Sequence, residues 1–274
     1  MLKTKTYKYR LYPTRKQSQR LQWTLDMCRI LHNSCLLDRR NHYQRTGHGL
    51  SRIAQQEMLK VDKERLPFLR EIHSQVLQDV LFRVEKAFDN FFGRIKEKNG
   101  KAGYPRFKGE GRYDSITYPQ QPGFQITPQG LKLSKIGTIK IKMHRPIQGT
   151  IKTCTIKREV DRWYACFSVE YEPGQKSIPT KAVGIDVGIR SFAVFSTGEA
   201  IENPKYLGKS EKKLAKRQRE LSLKKKGSAS RKKARLIVAK LHRKVRNQRS
   251  DFHHKLSRKL ELMCLFILER SSST

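Results

Sequence analysis

The spacing of apolar residues changes several times along the chain and divides it into segments. Residues 3 to 12 alternate Thr, Tyr and Leu with basic residues, which predicts a half-buried strand with a cationic outer face. From residue 16 to residue 97 apolar residues recur every three or four positions, which predicts three amphipathic helices in a small bundle. Residues 115 to 173 then form short alternating runs between turn residues. This pattern is typical of an antiparallel barrel or sandwich.

The segment from residue 99 to 113, NGKAGYPRFKGEGRY, is rich in glycine and is predicted to be a loop. It places Tyr104, Arg106, Phe107 and Lys108 close together, a composition suited to stacking on bases while contacting phosphates. A flexible basic linker is the alternative. The aromatic residues between 162 and 171 are expected to lie in the core or on the sheet faces, not to form a binding platform.

A linker at residues 174 to 182 precedes the run VGIDVGIRSFAVF, which predicts a strand, a glycine turn and a second strand. The residues around Asp186 are apolar enough for a buried strand. A carboxylate in the middle of a packed sheet is costly unless it meets a cation or a metal ion.

Residues 205 to 249 contain nineteen Lys or Arg residues against Glu211 and Glu220 alone. Leucines at helical spacing predict two basic helices, with a break at Gly227 and Ser228. Because such a run repels itself, we expect a polyanion to lie along it.

The formal net charge of +36 favours a nucleic-acid partner over a lipid surface, although ribosomal proteins can be equally basic. Five widely spaced cysteines without a CxxC pair argue against a disulfide framework and against a self-contained zinc site, and core packing is expected for them. No apolar stretch approaches the roughly 18 residues of a membrane span and no signal peptide begins the chain, so we expect a cytoplasmic, nucleoid-associated protein without a membrane partner.

A strand carboxylate before a glycine turn occurs both in sugar-kinase-type nucleotide sites and in ribonuclease H-like nucleases. The kinase fold needs a second glycine-rich phosphate loop, which the chain does not offer. Nuclease chemistry instead needs further carboxylates to hold divalent ions. The next candidate is Glu269, at the end of the apolar run LMCLFILE, which predicts a short buried strand; an ordinary acid in a frayed terminus is the alternative.

Four motifs occur in a recognisable order: YKYRLYPTRKQ at 8–18, YPRFKG at 104–109, VGIDVGIRSFAVFSTG at 183–198 and RSDFHHKLS at 249–257. In this order they resemble the TnpB family of transposon-encoded, RNA-guided DNA endonucleases. The resemblance implies an α+β multi-domain fold, with a helical bundle inserted in a wedge-type β-barrel and an incomplete RuvC-like, ribonuclease H-like α/β domain after it. The implied domains are 1–13 and 99–176 for the barrel, 14–98 for the helical recognition domain and 181–274 for the nuclease domain.

The resemblance also implies Asp186 and Glu269 as Mg²⁺ ligands and catalytic acids, with guide RNA and target double-stranded DNA as partners. The zinc ribbon and the third acid of the family do not appear before Thr274, so we expect no zinc and a C-terminally truncated, cleavage-deficient chain. A guide-directed DNA-binding repressor and a decayed gene product are the alternatives. The side chains expected to contact nucleic acid are Lys8, Arg10, Tyr12, Tyr104, Arg106, Phe107, Lys108, Lys212, Lys213, Lys216, Arg217, Lys224, Lys225, Lys232, Lys233, Arg249 and Lys255.

Overall fold

A computed structural model describes residues 2–97, 102–174 and 184–270, with residues 207, 209 and 262–270 described by their backbone alone. The chain forms two compact units, Met1–Pro173 and Gly174–Thr274. Helices and antiparallel sheets occur in both, so the fold mixes α and β structure as predicted. None of the helices in the described ranges combines the length and the apolar content needed to cross a membrane.

The first unit begins with the predicted strand and then runs through three helices. Strand β1 spans Lys3–Tyr12, and it is followed by α1 (Arg15–Thr46), α2 (Arg52–Arg65) and α3 (Ser74–Lys96). Helix α1 starts at a capping box, in which Thr14 and Gln17 satisfy each other's backbone N–H groups, and ends at Gly47 with φ 70°. A 3₁₀ turn, Pro67–Glu71, lies between α2 and α3.

Six further strands complete the sheet of the first unit: β2 (Ser115–Tyr118), β3 (Phe124–Thr127), β4 (Gly130–Leu133), β5 (Gly137–Lys142), β6 (Thr150–Glu159) and β7 (Arg162–Tyr171). The seven strands are ordered β2-β6-β7-β1-β5-β4-β3. Strand β1 therefore lies in the middle of the sheet, and the three helices are inserted between it and β2. The Tyr118 hydroxyl at one edge donates to the Ser134 carbonyl beyond β4 (3.2 Å), so the sheet curls towards closure.

One hydrophobic core joins the helices to the sheet of this unit. It includes Leu25 and Leu77 of the helices together with Tyr9 and Phe167 of the strands. Arg83 of α3 also donates from Nη1 to the Ser115 carbonyl and from Nη2 to the Thr117 hydroxyl, both at 2.8 Å. The bundle and the barrel are thus one packed body, and their division into separate domains stays a prediction.

The second unit contains a small sheet and two helices. Strands β8 (Ile185–Asp186), β9 (Ser191–Phe195) and β10 (Ala200–Glu202) are ordered β10-β9-β8. Helices α4 (Tyr206–Ser222) and α5 (Ala229–Arg270) follow, and the break between them contains the predicted Gly227 and Ser228. Residues 175–182 of the predicted linker lie outside the described residues.

Candidate nucleic-acid interface

The outer face of the seven-stranded sheet carries a row of cationic and aromatic side chains. In β1 the odd-numbered Tyr7, Tyr9 and Leu11 are buried, which leaves Lys8, Arg10 and Tyr12 on the opposite face. Arg10 pairs with Tyr164 of β7 on one side and with Lys142 of β5 on the other. Tyr164 in turn pairs with Lys157 of β6. We call Lys157, Tyr164, Arg10 and Lys142, which cross four strands in this order, the cross-strand row.

The cations of this face lie against the aromatic rings. The Nζ of Lys8 lies 4.3 Å from the centroid of the Tyr164 ring, and the guanidinium carbon of Arg10 lies 5.6 Å from the same centroid. Arg10 also lies 5.2 Å from the Tyr12 ring. Lys8 makes an ion pair with Glu159 at 2.6 Å, which fixes its position. Ring contacts of this kind hold cations in place while leaving them able to meet phosphate oxygens.

Three residues of this face could be predicted from the sequence and three could not. Lys8, Arg10 and Tyr12 lie where the alternation of β1 predicted them. Tyr164, Lys142 and Lys157 join them only through the pairing of the strands, which a single sequence does not reveal. A signal existed for Tyr164: its neighbours Trp163 and Ala165 are both apolar and buried, so alternation turns Tyr164 outward.

The loop before β2 presents the predicted residues Tyr104, Arg106, Phe107 and Lys108. Tyr104 is 45% exposed and Phe107 is 53% exposed. The Lys108 N–H donates to the Asn33 side-chain oxygen (2.8 Å), and the Asn33 amide donates back to the Lys108 carbonyl (3.0 Å). The loop is therefore tied to α1 at this point, which argues against the flexible-linker alternative.

Helices α4 and α5 pack together and present the predicted basic side chains to solvent. Among the side chains that the structure describes in these helices, the buried apolar ones are Leu214 of α4 and Val238 and Val245 of α5. Arg231 of α5 donates to the carbonyls of Leu221 (2.9 Å) and Lys224 (2.7 Å), so it closes the end of α4. The predicted side chains that lie exposed are Lys212, Lys213, Lys216, Lys224, Lys225, Lys232, Lys233, Arg249 and Lys255.

Two predicted cations of these helices have acidic neighbours on the same helix. Arg217 is half-buried and pairs with Glu220 at 2.7 Å, and Lys255 pairs with Asp251 at 2.7 Å. The hydrogen bond from Lys255 to the Asp251 carboxylate raises the pKa of Lys255. The other charged residues between 205 and 249 are almost all Lys or Arg, so the two helices present a positively charged surface that suits a polyanion.

Asp186 does not lie in a packed sheet, so the expected burial was wrong. Both residues of β8 are exposed, and Val187 and Ile189 beyond them are 69% and 90% exposed. The reason is that β8 is an edge strand: in the described part of the unit it pairs with β9 alone. An apolar run therefore indicated a strand correctly but not its burial.

Glu269 does not end a strand, because the run LMCLFILE continues helix α5 to Arg270. The sequence between Ser250 and Glu269 contains neither glycine nor proline, so nothing interrupts the helix. A short apolar run fits a buried strand and a helix equally well by periodicity alone. The side chain of Glu269 lies outside the described residues, and its role as a ligand stays a prediction.

The described side chains do not form a metal site. Across ranges 2–97, 102–174 and 184–261, no group of three or more His, Cys, Asp or Glu residues is placed to hold an ion. Mg²⁺ at a nuclease site requires several carboxylate oxygens. Asp186 alone does not supply them.

Three of the four cysteines whose side chains the structure describes are core residues. Cys28, Cys35 and Cys154 are buried and free, and Cys166 is half-buried. Burial raises the pKa of the Cys28 and Cys35 thiols to about 12, so both stay protonated and unreactive. The expectation of core packing is confirmed for Cys28, Cys35 and Cys154. It is wrong for Cys166, which lies outside the core on the outer face of the sheet, where it pairs with Lys8.

Comparison with known proteins identifies two family segments in the chain. Residues 166–265 match the family described as "Probable transposase" (OrfB of IS605-type elements), and residues 1–48 match its "Helix-turn-helix domain". In the structure the second segment forms β1 and the continuous helix α1, together with the glycine that ends α1. Both segments fall on elements that carry the predicted basic residues.

Two curated relatives match along most of the chain. A Streptomyces pristinaespiralis protein named "Putative RNA-guided DNA endonuclease" is 35% identical over 93% of this chain and 64% of its own length. An Escherichia coli K12 protein named "Putative RNA-guided DNA endonuclease InsQ" is 28% identical over 94% of this chain and 63% of its own length. The chain thus spans slightly less than two thirds of these relatives.

Among solved structures, a Cas12f1–sgRNA–target DNA complex aligns with 98% of this chain and 71% of its own, with 16% identity and a TM-score of 0.35. That similarity is too remote to bear on the fold or the site. The two family segments and the two relatives agree with the four ordered motifs of the sequence. The chain belongs to the TnpB family, the OrfB family of IS605-type transposon proteins.

Proposed function

We propose that this chain is a transposon-associated, RNA-guided DNA-binding protein of the endonuclease type. The observation that carries the proposal is the cross-strand row, in which Lys157, Tyr164, Arg10 and Lys142 form one cationic and aromatic surface. Single-stranded nucleic acid is bound in this way, with cations on phosphates and rings on bases. The names of the two curated relatives support guide RNA and DNA as the ligands.

In this account base pairing with the guide selects the target, and the protein holds the backbone of the duplex. The exposed cations of α4 and α5 supply the second basic surface. Neither surface requires a particular base sequence, as expected when the guide carries the sequence information.

We further propose that the second unit derives from a RuvC-like nuclease domain and that this chain binds its target without cutting it. Asp186 would be the first Mg²⁺ ligand of such a domain, with Glu269 as its partner. The support for a binding role is that Asp186 joins no cluster of acidic residues among the described side chains. A guide-directed repressor is the activity that these features favour.

The test begins with the RNA that copurifies with the chain. We expect the chain, loaded with this RNA, to retain DNA that pairs with it and to release DNA of scrambled sequence. Because the flanking DNA motif is unknown, the target is placed next to a randomised segment. Retention is measured by electrophoretic mobility shift.

A double variant, Arg10→Gln with Tyr164→Ala, is expected to weaken RNA binding about tenfold or more, since it removes a cation and a stacking ring together. Arg70→Gln with Phe82→Ala removes a cation and an aromatic ring from exposed helical positions outside the cross-strand row and should change the affinity less than twofold. Equal retention of paired and scrambled DNA by the loaded wild-type chain contradicts guide-directed binding.

A further inference from the structure

A cavity of about 500 Å³ opens beside the end of α3, away from the cross-strand row and its neighbours on β1. Phe88, Phe91 and Phe92 of α3 form one side, and Tyr104, Arg39 and Tyr43 are among the other residues that line it. We call this cavity the α3 pocket. Its volume is in the range of cavities that bind small organic groups.

In the α3 pocket the Tyr104 ring meets two phenylalanine rings edge to face. The Tyr104 ring lies 5.4 Å from the Phe91 ring at an interplanar angle of 75°, and 5.6 Å from the Phe88 ring at 88°. Phe92 lies 5.2 Å from Phe91. Phe92 is nevertheless 53% exposed and Tyr104 is 45% exposed. The rings of Phe92 and Tyr104 therefore expose apolar faces at the mouth of the cavity and are not buried in the hydrophobic core.

Arg39 supplies a hydrogen-bond donor that has no acceptor. Its Nε donates to the Gln55 side-chain oxygen (2.8 Å), and its guanidinium carbon lies 5.1 Å from the Phe88 centroid. Its Nη2 is buried and has no hydrogen-bond partner among the residues that the structure describes. A buried donor without an acceptor is costly, so a ligand that brings an acceptor into the pocket gains a hydrogen bond there.

The side of the α3 pocket that contains Tyr104 is fixed by hydrogen bonds in the absence of a ligand. The segment that carries Tyr104 is tied to α1 by the two hydrogen bonds between Asn33 and Lys108. Arg106 and Lys108 lie exposed on this segment, so cations stand beside the aromatic rings. A preformed wall lowers the ordering cost of binding.

We propose that the α3 pocket holds one unpaired nucleobase that carries a ring carbonyl, extruded from the nucleic acid bound to this chain. The base stacks against Phe92 or Tyr104, and its carbonyl oxygen accepts a hydrogen bond from Arg39 Nη2. Uracil, thymine, cytosine and guanine carry such a carbonyl, and adenine does not. The neighbouring cations then meet the flanking phosphates. This inference rests on the proposed function, because it names a subsite for the nucleic acid that the chain is proposed to bind.

Photo-crosslinking tests the pocket directly. The probes are a single-stranded RNA oligomer containing 5-iodouracil and the DNA oligomer of the same sequence, irradiated with the full chain and mapped by peptide mass spectrometry. We expect crosslinks at Tyr104 or Phe92, because iodouracil reacts with the aromatic ring on which it stacks. Crosslinks from RNA alone or from DNA alone identify which strand supplies the base, and either result supports the pocket.

Matched variants separate the pocket from the helix that carries it. Phe92→Ala should weaken the binding of uracil-rich RNA about tenfold. Phe82→Ala removes a ring of similar exposure (49%) from the same helix outside the pocket and should change binding less than twofold. Arg39→Lys should weaken the binding of oligo(U) about fivefold, since it removes the Nη2 donor from the base carbonyl.

The outcomes distinguish the two proposals. If the wild-type chain binds the RNA but crosslinks elsewhere, or if Phe92→Ala and Phe82→Ala behave alike, the pocket proposal is overturned and the proposed function stands. If the wild-type chain binds neither oligomer even at low salt, both proposals are overturned.

Discussion

Replacing Phe167 by Ala is expected to lower the free energy of unfolding of the first unit by about 3–5 kcal/mol. The Phe167 side chain is 0% exposed, and its ring lies 5.9 Å from Tyr9 and 6.2 Å from Phe124. These contacts join β7 to β1 and β3 across the curled sheet, so the cavity left by truncation cannot collapse without moving strands. The measurement is the urea midpoint followed by tryptophan fluorescence.

The probe is specific because both tryptophans of the chain, Trp23 and Trp163, lie in the first unit. Phe82→Ala is the control, since Phe82 is 49% exposed and its loss should cost less than about 1 kcal/mol. A midpoint for Phe167→Ala that matches the control, at an unchanged slope, contradicts the proposed packing of the sheet.

Raising the salt concentration from about 50 mM to about 200 mM is expected to weaken RNA binding by roughly a thousandfold. The reason is that the exposed cations of α4 and α5 displace counterions from phosphates when the RNA binds. The slope of log affinity against log salt counts the phosphates that are neutralised, at about 0.7 per contact on a single strand. Fluorescence anisotropy of labelled RNA at several salt concentrations gives this slope.

The double variant Lys212→Gln with Lys213→Gln should reduce the magnitude of this slope by about 1.4, the value for two lost contacts. The matched control is Lys60→Gln with Lys63→Gln on α2, where Glu57, Asp62 and Glu64 interrupt the positive charge. The control should leave the slope unchanged. Equal effects of the two pairs would mean that the basic helices are not a specific binding surface.

The sequence predicted the elements of this protein well because its patterns are local. The alternation in β1, the helical spacing of α1 and α3 and the break at Gly227 each depend on residues close in the chain. Pairing between distant strands leaves no such signal. Arg10 and Tyr164 are neighbours because β1 enters the sheet between β7 and β5, and only the structure shows that order.

For the candidate acidic residues Asp186 and Glu269, the local sequence pattern was misleading. The motif around Asp186 identified a strand and the family, but apolar composition did not mean burial at an edge strand. The run before Glu269 was assigned to a strand because a short apolar segment carries too few periods to separate it from a helix. The absence of any helix-breaking residue after Ser250 was the available signal, and it favoured the helix.

The most direct test of the account is a cleavage assay on the assembled complex. The chain loaded with its copurified RNA is incubated with Mg²⁺ and a supercoiled plasmid that carries the paired target beside the randomised flank, and binding and plasmid form are measured in the same sample. We predict a target-dependent complex in which the plasmid stays supercoiled, with no change in Asp186→Ala. Target-dependent linear plasmid that disappears in Asp186→Ala would contradict it.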